Sequence, residues 1–275
     1  MNDKTINNKP AEKAARRHTR GTLATIKKME SLYHYSSINK LALILESKKI
    51  RFNRLDYVND PHEGVSCDFG SMAIYMFVSC WTKNKEENFA LWNMYTDKMR
   101  GVRIEIPLPI FNSYKIGKVE SNFFVSEDDY LDDNNGLFIL SAKNYPISID
   151  YTDDESKLFP EIRTKIGLKT SSLGITKRKI WQIEDEVRYK MEIYPFDPKV
   201  PKNNFPEAYE KFIEKRIPPK IDYYDVSLNN DSFEKMKIII GPKMEPGDKQ
   251  IIESLVARYN PKAQIIESSL KGNIR

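Results

Sequence analysis

The stretch Leu32–Arg54, LYHYSSINKLALILESKKIRFNR, decides the fold. LYHYS is short and aromatic and reads as a strand. In the segment that follows, Ile38, Leu41, Ala42 and Leu45 recur at i, i+3, i+4 and i+7, which is one face of a helix. Ser36 or Ser37 stands before it as an N-cap. KKIRFNR then returns as a second strand.

Downstream, NDPHEG (59–64) is a loop punctuated by Asp-Pro and Gly. AIYMFVSCW is a buried strand by composition, and a helix is expected over Glu86–Met99. Its Phe89, Trp92, Tyr95 and Met99 share one broad face. Gly101 ends that helix and VRIEI starts a strand. SEDDYLDDNNG is acidic and expected at the surface; PISIDY reads as a strand and ESKLFPEIRTKIGLKT as broken helix. EDEVRYKMEIY is a strand, PFDPKVPKNNFP an irregular proline-rich excursion, and MKIIIGP a buried strand. Ile251, Ile252, Leu255, Val256 and Tyr259 form a last helical face before a closing strand, AQIIES. Strands and helices mix without regular alternation, which predicts an α+β fold and not a doubly wound sheet.

The chain has 275 residues, 40% hydrophobic and 30% charged, a balance that excludes a mostly disordered protein. Its longest apolar run, Met72–Trp81, is about half the roughly 20 residues that a membrane helix needs. The first thirty residues hold no apolar run, so no secretory signal is expected. Cys67 and Cys80 sit in no metal or redox spacing. These readings predict a cytoplasmic protein without a membrane partner. The charge is uneven: residues 1–30 hold eight Lys or Arg against three acids, a surplus equal to the net +5 of the whole chain. The expected organisation is therefore a basic N-terminal arm, 1–30, and a single neutral domain, 31–275. Such an arm suits nucleic acid or another acidic partner.

Common catalytic motifs are missing. There is no GxGxxG, no GxxxxGK[ST] and no GxSxG, and the three histidines (His18, His34, His62) form no metal-ligand pair. Classical hydrolases, zinc enzymes and P-loop enzymes are thereby disfavoured.

LYHYSSINKLALILESKKIRF resembles the opening of a bacterial domain family of unknown function. The resemblance continues at Asn59-Asp60-Pro61-His62-Glu63-Gly64, at Trp92, Tyr95 and Gly101, at Trp181, Glu184, Glu186 and Arg188, and at IIIGPKM. It runs in order over about residues 32–270. The layout is similar to the ADP-ribosyltransferase superfamily, and the opening to its DNA-targeting toxins. That resemblance implies an ADP-ribosyltransferase-like domain with a mixed or antiparallel split sheet and peripheral helices. It implies NAD as co-substrate, no metal, and a toxin or phage-defence effector modifying nucleic acid or protein, with an antitoxin or regulatory partner. The first-strand His falls on His34, flanked by Tyr33, Tyr35 and Ser36. The second-strand residue falls on Ser79, Trp92 or Tyr95, and the Glu-x-Glu pair on Glu184 and Glu186.

These residue types suit the chemistry. Breaking the ribose–nicotinamide bond develops an oxocarbenium-like cation, as in glycoside cleavage, and a fixed carboxylate stabilises it. On one strand, Glu184, Glu186 and Arg188 would share a face. One carboxylate would hold a ribose hydroxyl and the other orient or deprotonate the acceptor. Arg188 would hold Glu186 ionised or clamp a phosphate. His34 would offer a donor and an acceptor to a ribose, and Tyr35, Trp92 or Tyr95 would stack on nicotinamide. Two other classes remain open. One is a non-catalytic nucleic-acid or protein-binding module on a degenerate scaffold. The other is a magnesium-dependent defence nuclease using the acidic runs Glu127–Asp133 and Asp153–Glu155.

Overall fold

The computed structural model describes residues 29–116, 119–132, 135–140, 142–165, 167–197, 199 and 211–274. The opening stretch forms β1 (Ser31–Ser36), α1 (Ile38–Ser47) and β2 (Lys49–Arg54). Ser37 is the N-cap, its hydroxyl accepting from the Lys40 amide at 3.3 Å. That satisfies one donor the first helical turn leaves unpaired. Leu41, Ile44 and Leu45 are the buried face. At the other end Lys48 turns left-handed (φ 54°) and its amide bonds the Ile44 carbonyl, so the chain reverses into β2.

The remaining framework strands are β3 (Met76–Thr82), β4 (Val102–Pro107), β5 (Leu131–Asp132), β6 (Leu137–Leu140), β7 (Ile147–Ser148), β8 (Glu186–Pro195), β9 (Tyr223–Ser227), β10 (Lys237–Ile240) and β11 (Gln264–Glu267). With β1 and β2 they make one eleven-stranded sheet, whose main path runs β11-β10-β4-β1-β3-β8-β6-β5. β2 joins β3 and carries β9, and β7 lies on β8. Only β10 and β11 run parallel within this sheet; the other pairings are antiparallel. The fold is α+β with a mixed sheet. Residues Ser31–Arg275 form one compact unit, and the basic arm at 1–28 lies outside the described residues.

The sheet divides at β3. One edge of β3 pairs with β8 along its whole length, from Thr82↔Glu186 to Met76↔Glu192. Its other edge meets two strands: β2 at Phe77 and Val78, and β1 at Thr82. Between these contacts the edge at residues 79–81 opens into a cleft. Tyr33, Thr82 and Glu186 therefore stand in one cross-strand row through β1, β3 and β8.

Several elements differ from their sequence reading. The buried strand at 73–81 begins as a 3₁₀ turn, Ala73–Tyr75, before β3. The helix expected over Glu86–Met99 is only α2 (Phe89–Tyr95). Asn88 caps its start, accepting from the Ala90 and Leu91 amides, and Asp97, Lys98 and Met99 all have positive φ, which ends it. Phe89 and Tyr95 are exposed while Trp92 and Met99 are buried, so the four residues do not share a buried face. Gly101 is required by space: a Cβ there would stand 2.2 Å from the Ser36 carbonyl oxygen. PISIDY is broken at Ile149 into two pairings, and ESKLFPEIRTKIGLKT keeps one helical turn, Glu155–Leu158, before a hairpin pairing Arg163 with Leu168. Glu184 ends a 3₁₀ helix, Lys179–Glu184, and Asp185 is left-handed, so Glu184 precedes β8. Most of PFDPKVPKNNFP lies outside the described residues. The last helix is α3 (Pro246–Tyr259); Ile252 and Val256 are buried, whereas Ile251 faces out.

Candidate functional site

β8 is unusual for its buried charge. Val187, Tyr189, Met191 and Ile193 make its apolar face, with Tyr189 edge-on to Phe111 and Phe124. Glu186, Arg188, Lys190 and Glu192 alternate with them on the other face, and all four are buried. Buried charges are tolerated only when paired and hydrogen-bonded. Here the chain between Thr170 and Glu184 supplies most of the partners. Lys190 donates to the Thr170 and Leu173 carbonyls, and Glu192 accepts from Thr170 and Tyr194.

Towards the cleft the network tightens around Lys177. Its Nζ lies 2.7 Å from Glu184 Oε2, 2.8 Å from Glu186 Oε2 and 3.2 Å from Glu63 Oε1. Arg188 completes the set from behind, with Nε 2.7 Å from Glu186 Oε1, Nη1 2.5 Å from Glu63 Oε2 and 2.8 Å from the Gly174 carbonyl. Tyr95 donates to Glu184 Oε1 at 2.5 Å, and the Glu186 amide donates to the Tyr151 hydroxyl at 2.8 Å. Three carboxylates against two cations leave this cluster one negative charge in excess.

The electrostatics follow from the contacts. Burial pushes the Glu186 carboxyl up, but Arg188 and Lys177 outweigh it and hold the group at about 2. Burial alone would lower the Lys177 ammonium; Glu186, Glu63 and Glu184 raise it above the ordinary lysine range. Burial and the Glu184 hydrogen bond together push the Tyr95 phenol up. The Cys80 thiol, buried and beside Glu186, is pushed well up and stays protonated.

The cleft at the division of the sheet has a volume of about 340 Å³, the low end of small-molecule sites. Tyr33, His34 and Tyr35 of β1, Ser79 of β3, Tyr95 of α2, and Glu184 and Glu186 all line it. His34 donates from Nδ1 to the Cys80 carbonyl at 2.9 Å, on the β3 edge between the β1 and β2 contacts. Burial lowers its pKa, so the ring is neutral, with Nδ1 protonated and Nε2 as its acceptor. The donor expected for a ribose is thus already used by the protein. Tyr33 stacks under the Arg103 guanidinium, 3.9 Å away, and the Tyr35 hydroxyl accepts from the Asn88 amide. Ser79 lines the cleft, but its hydroxyl accepts from Trp81 Nε1.

Three sequence candidates do not reach the cleft. Trp92 is fully buried in a core with Tyr35, Leu91, Met99 and Ile239, its indole donating to Glu87. It packs edge-on to Tyr35 and offers no face to a ligand. Ser36 is buried and outside the cleft lining. Arg188 has no exposed surface, so it is an ion partner and not a phosphate clamp. Glu63 holds Arg188 and Lys177; Arg51 pairs with Asp225, and Arg54 with Asp56 and Asp222. The sequence reading missed Lys177 as a site residue. A lysine four residues before the matched Trp181-x-x-Glu184-x-Glu186 pattern carries no local signal.

Among the described residues no group of three or more His, Cys, Asp or Glu side chains is placed to hold a metal ion, the described part of Glu127–Asp133 included. Among them, too, no helix is long and apolar enough to cross a membrane. Comparison of the chain with protein-family profiles, with curated proteins and with solved structures returned no match.

Proposed function

We propose that this protein is an NAD-dependent ADP-ribosyltransferase whose cleft, at the division of the sheet, takes the nicotinamide riboside end of NAD. One observation carries this reading. His34, Glu184 and Glu186, up to 152 positions apart, meet in one cleft, the two carboxylates belonging to a cluster of net charge −1. Cleavage of the glycosidic bond sends its electron pair to the nicotinamide nitrogen and leaves positive charge on the ribose. Glu186, ionised and held rigid, is matched to that charge and not to the neutral product. Glu184 takes the proton of the attacking acceptor as its new bond to C1′ forms. His34 accepts a ribose hydroxyl through Nε2, and Tyr33, Tyr35 or Tyr95 supplies an aromatic wall.

The acceptor in this reading is nucleic acid, attracted by the basic arm, with protein as the alternative; the setting is a toxin or phage-defence effector under control of a partner protein. A second reading is a binding module on the same cleft. It is favoured by one fact: all four oxygens of Glu184 and Glu186 are engaged, by Tyr95, Lys177 and Arg188. Incubation with labelled NAD and separate pools of protein, DNA and RNA separates the two. Transfer of label by the wild type, lost in Glu186→Gln, supports the enzyme. Ligand binding without nicotinamide release by either protein supports the module.

A further inference from the structure

We propose that Lys177 is a positioning residue that fixes the two cleft-facing carboxylates, Glu184 and Glu186, as a rigid pair. The inference rests on the ADP-ribosyltransfer reading of the cleft. An ammonium has three donors, and Lys177 Nζ stands within 3.2 Å of three carboxylates, with its side chain only 6% exposed. It is brought there by a parallel bridge in which Thr176 and Lys177 face Asp150 and Tyr151. The same bridge delivers the Tyr151 hydroxyl to the Glu186 amide.

The two cations of the cluster divide the work. Arg188 and Glu63 pair on the same face of β8 but do not line the cleft, whereas Lys177, Glu184 and Glu186 do. Lys177 is thus the group that bridges one oxygen of each cleft-facing carboxylate. Without it, two buried carboxylates two residues apart would face each other with no cation bridging them.

Several elements packed on Glu186 add a charged or titratable group. Arg188 comes from its own strand and Cys80 from β3. Lys177 and Tyr151 come from the bridge and Glu63 from the 59–64 loop. Glu184 comes from the 3₁₀ helix, backed by Tyr95 of α2. Arg188 and Lys177 favour the anion, as does the hydrogen bond from the uncharged Cys80 thiol; Glu63 and Glu184 oppose it, and Tyr151 is uncharged. Loss of Lys177 therefore tips the balance from two cations against three carboxylates to one against three.

The test compares wild type, Lys177→Met and Lys177→Arg in nicotinamide release from NAD across pH. It is joined to a carbon-13 NMR titration of the Glu186 carboxyl, assigned with Glu186→Gln. Lys177→Met should lower kcat about a hundredfold, the usual cost of a misplaced reacting group, with KM for NAD little changed. The acid limb of its kcat/KM profile should move up by about one pH unit or more, and Lys177→Arg should restore it. A folded Lys177→Met with the wild-type kcat and acid limb would overturn the proposal. If that variant does not fold, Lys177→Gln takes its place in the same assays. A Glu186 carboxyl that titrates higher without Lys177 than in the wild type supports the proposal, and one that titrates unchanged overturns it. A wild type that releases no nicotinamide sinks the enzyme reading instead, and the NMR comparison still judges the hold of Lys177.

Discussion

Arg188 and Glu63 lie 125 positions apart in the chain, yet Nη1 and Oε2 meet at 2.5 Å with neither side chain exposed. This contact ties the NDPHEG loop to the central strand β8. A buried guanidinium deprived of its partner keeps its desolvation cost. Glu63→Ala should therefore cost about 3–5 kcal/mol of stability, read from urea unfolding at neutral pH. Glu63→Gln, which keeps a hydrogen bond, should cost less. A loss below about 1 kcal/mol in Glu63→Ala would match an exposed ion pair and show that Glu186 and the Gly174 carbonyl satisfy Arg188 without it.

The depressed Glu186 carboxyl makes stability depend on acid. Its folded value of about 2 lies below the ordinary 4.5, so its contribution is complete above 4.5 and fades as the pH falls towards 2. A shift of this size corresponds to about 3 kcal/mol. His34 acts in the same direction at higher pH. It stays neutral in the fold, while the unfolded chain begins to bind its proton near 6.5. Urea unfolding between pH 2.5 and 7 should show both losses, and Glu186→Gln should flatten the lower one. An unchanged slope below 4.5 in that variant would assign the acid sensitivity to other carboxylates.

Trp92 should behave as a core residue. Its indole is fully buried, bonded to Glu87 at 2.9 Å, and Glu87 also holds Ser268 and Ser269. Trp92→Ala should cost about 3–5 kcal/mol. Trp92→Phe should cost less and leave ligand affinity in the cleft unchanged when measured by calorimetry with NAD. A selective loss of affinity in a fully folded Trp92→Phe would return the residue to the site.

The basic arm is tested by deletion of residues 1–28. Phosphate contacts release counterions, so each one lost should flatten the slope of log K against log salt by about 0.9 on duplex DNA. Fluorescence anisotropy of a labelled duplex, titrated at several salt concentrations, reads both affinity and slope. The truncated protein should bind more weakly with a shallower slope; equal affinity and slope would remove the arm from the interface.

Much of the framework was legible in the sequence because it is written in local periodicity. The helix face from Ile38 to Leu45, a serine cap at Ser36 or Ser37 and the strands LYHYS, KIRFNR and KIII all follow from spacing over ten residues or fewer; the structure chose Ser37. The meeting of His34 with the Glu184–Glu186 pair was an expectation from resemblance, and the division of the sheet at β3 brings these residues into one cleft. Tertiary structure alone decided which side chains reach it. Alternation along EDEVRYKMEIY separates a charged face from an apolar one, and such a charged face ordinarily meets water. Here the chain from Thr170 to Glu184 covers it, supplying carbonyls to Arg188 and Lys190 and the ammonium of Lys177 to Glu186. The same covering puts Arg188 behind the carboxylates, and core packing against Tyr35 turns Trp92 inward. Local pattern reports which face of an element is apolar. It does not report which distant segment will pair with a charge, because that choice is made by the closure of long loops and by the cost of burying a charge unpaired.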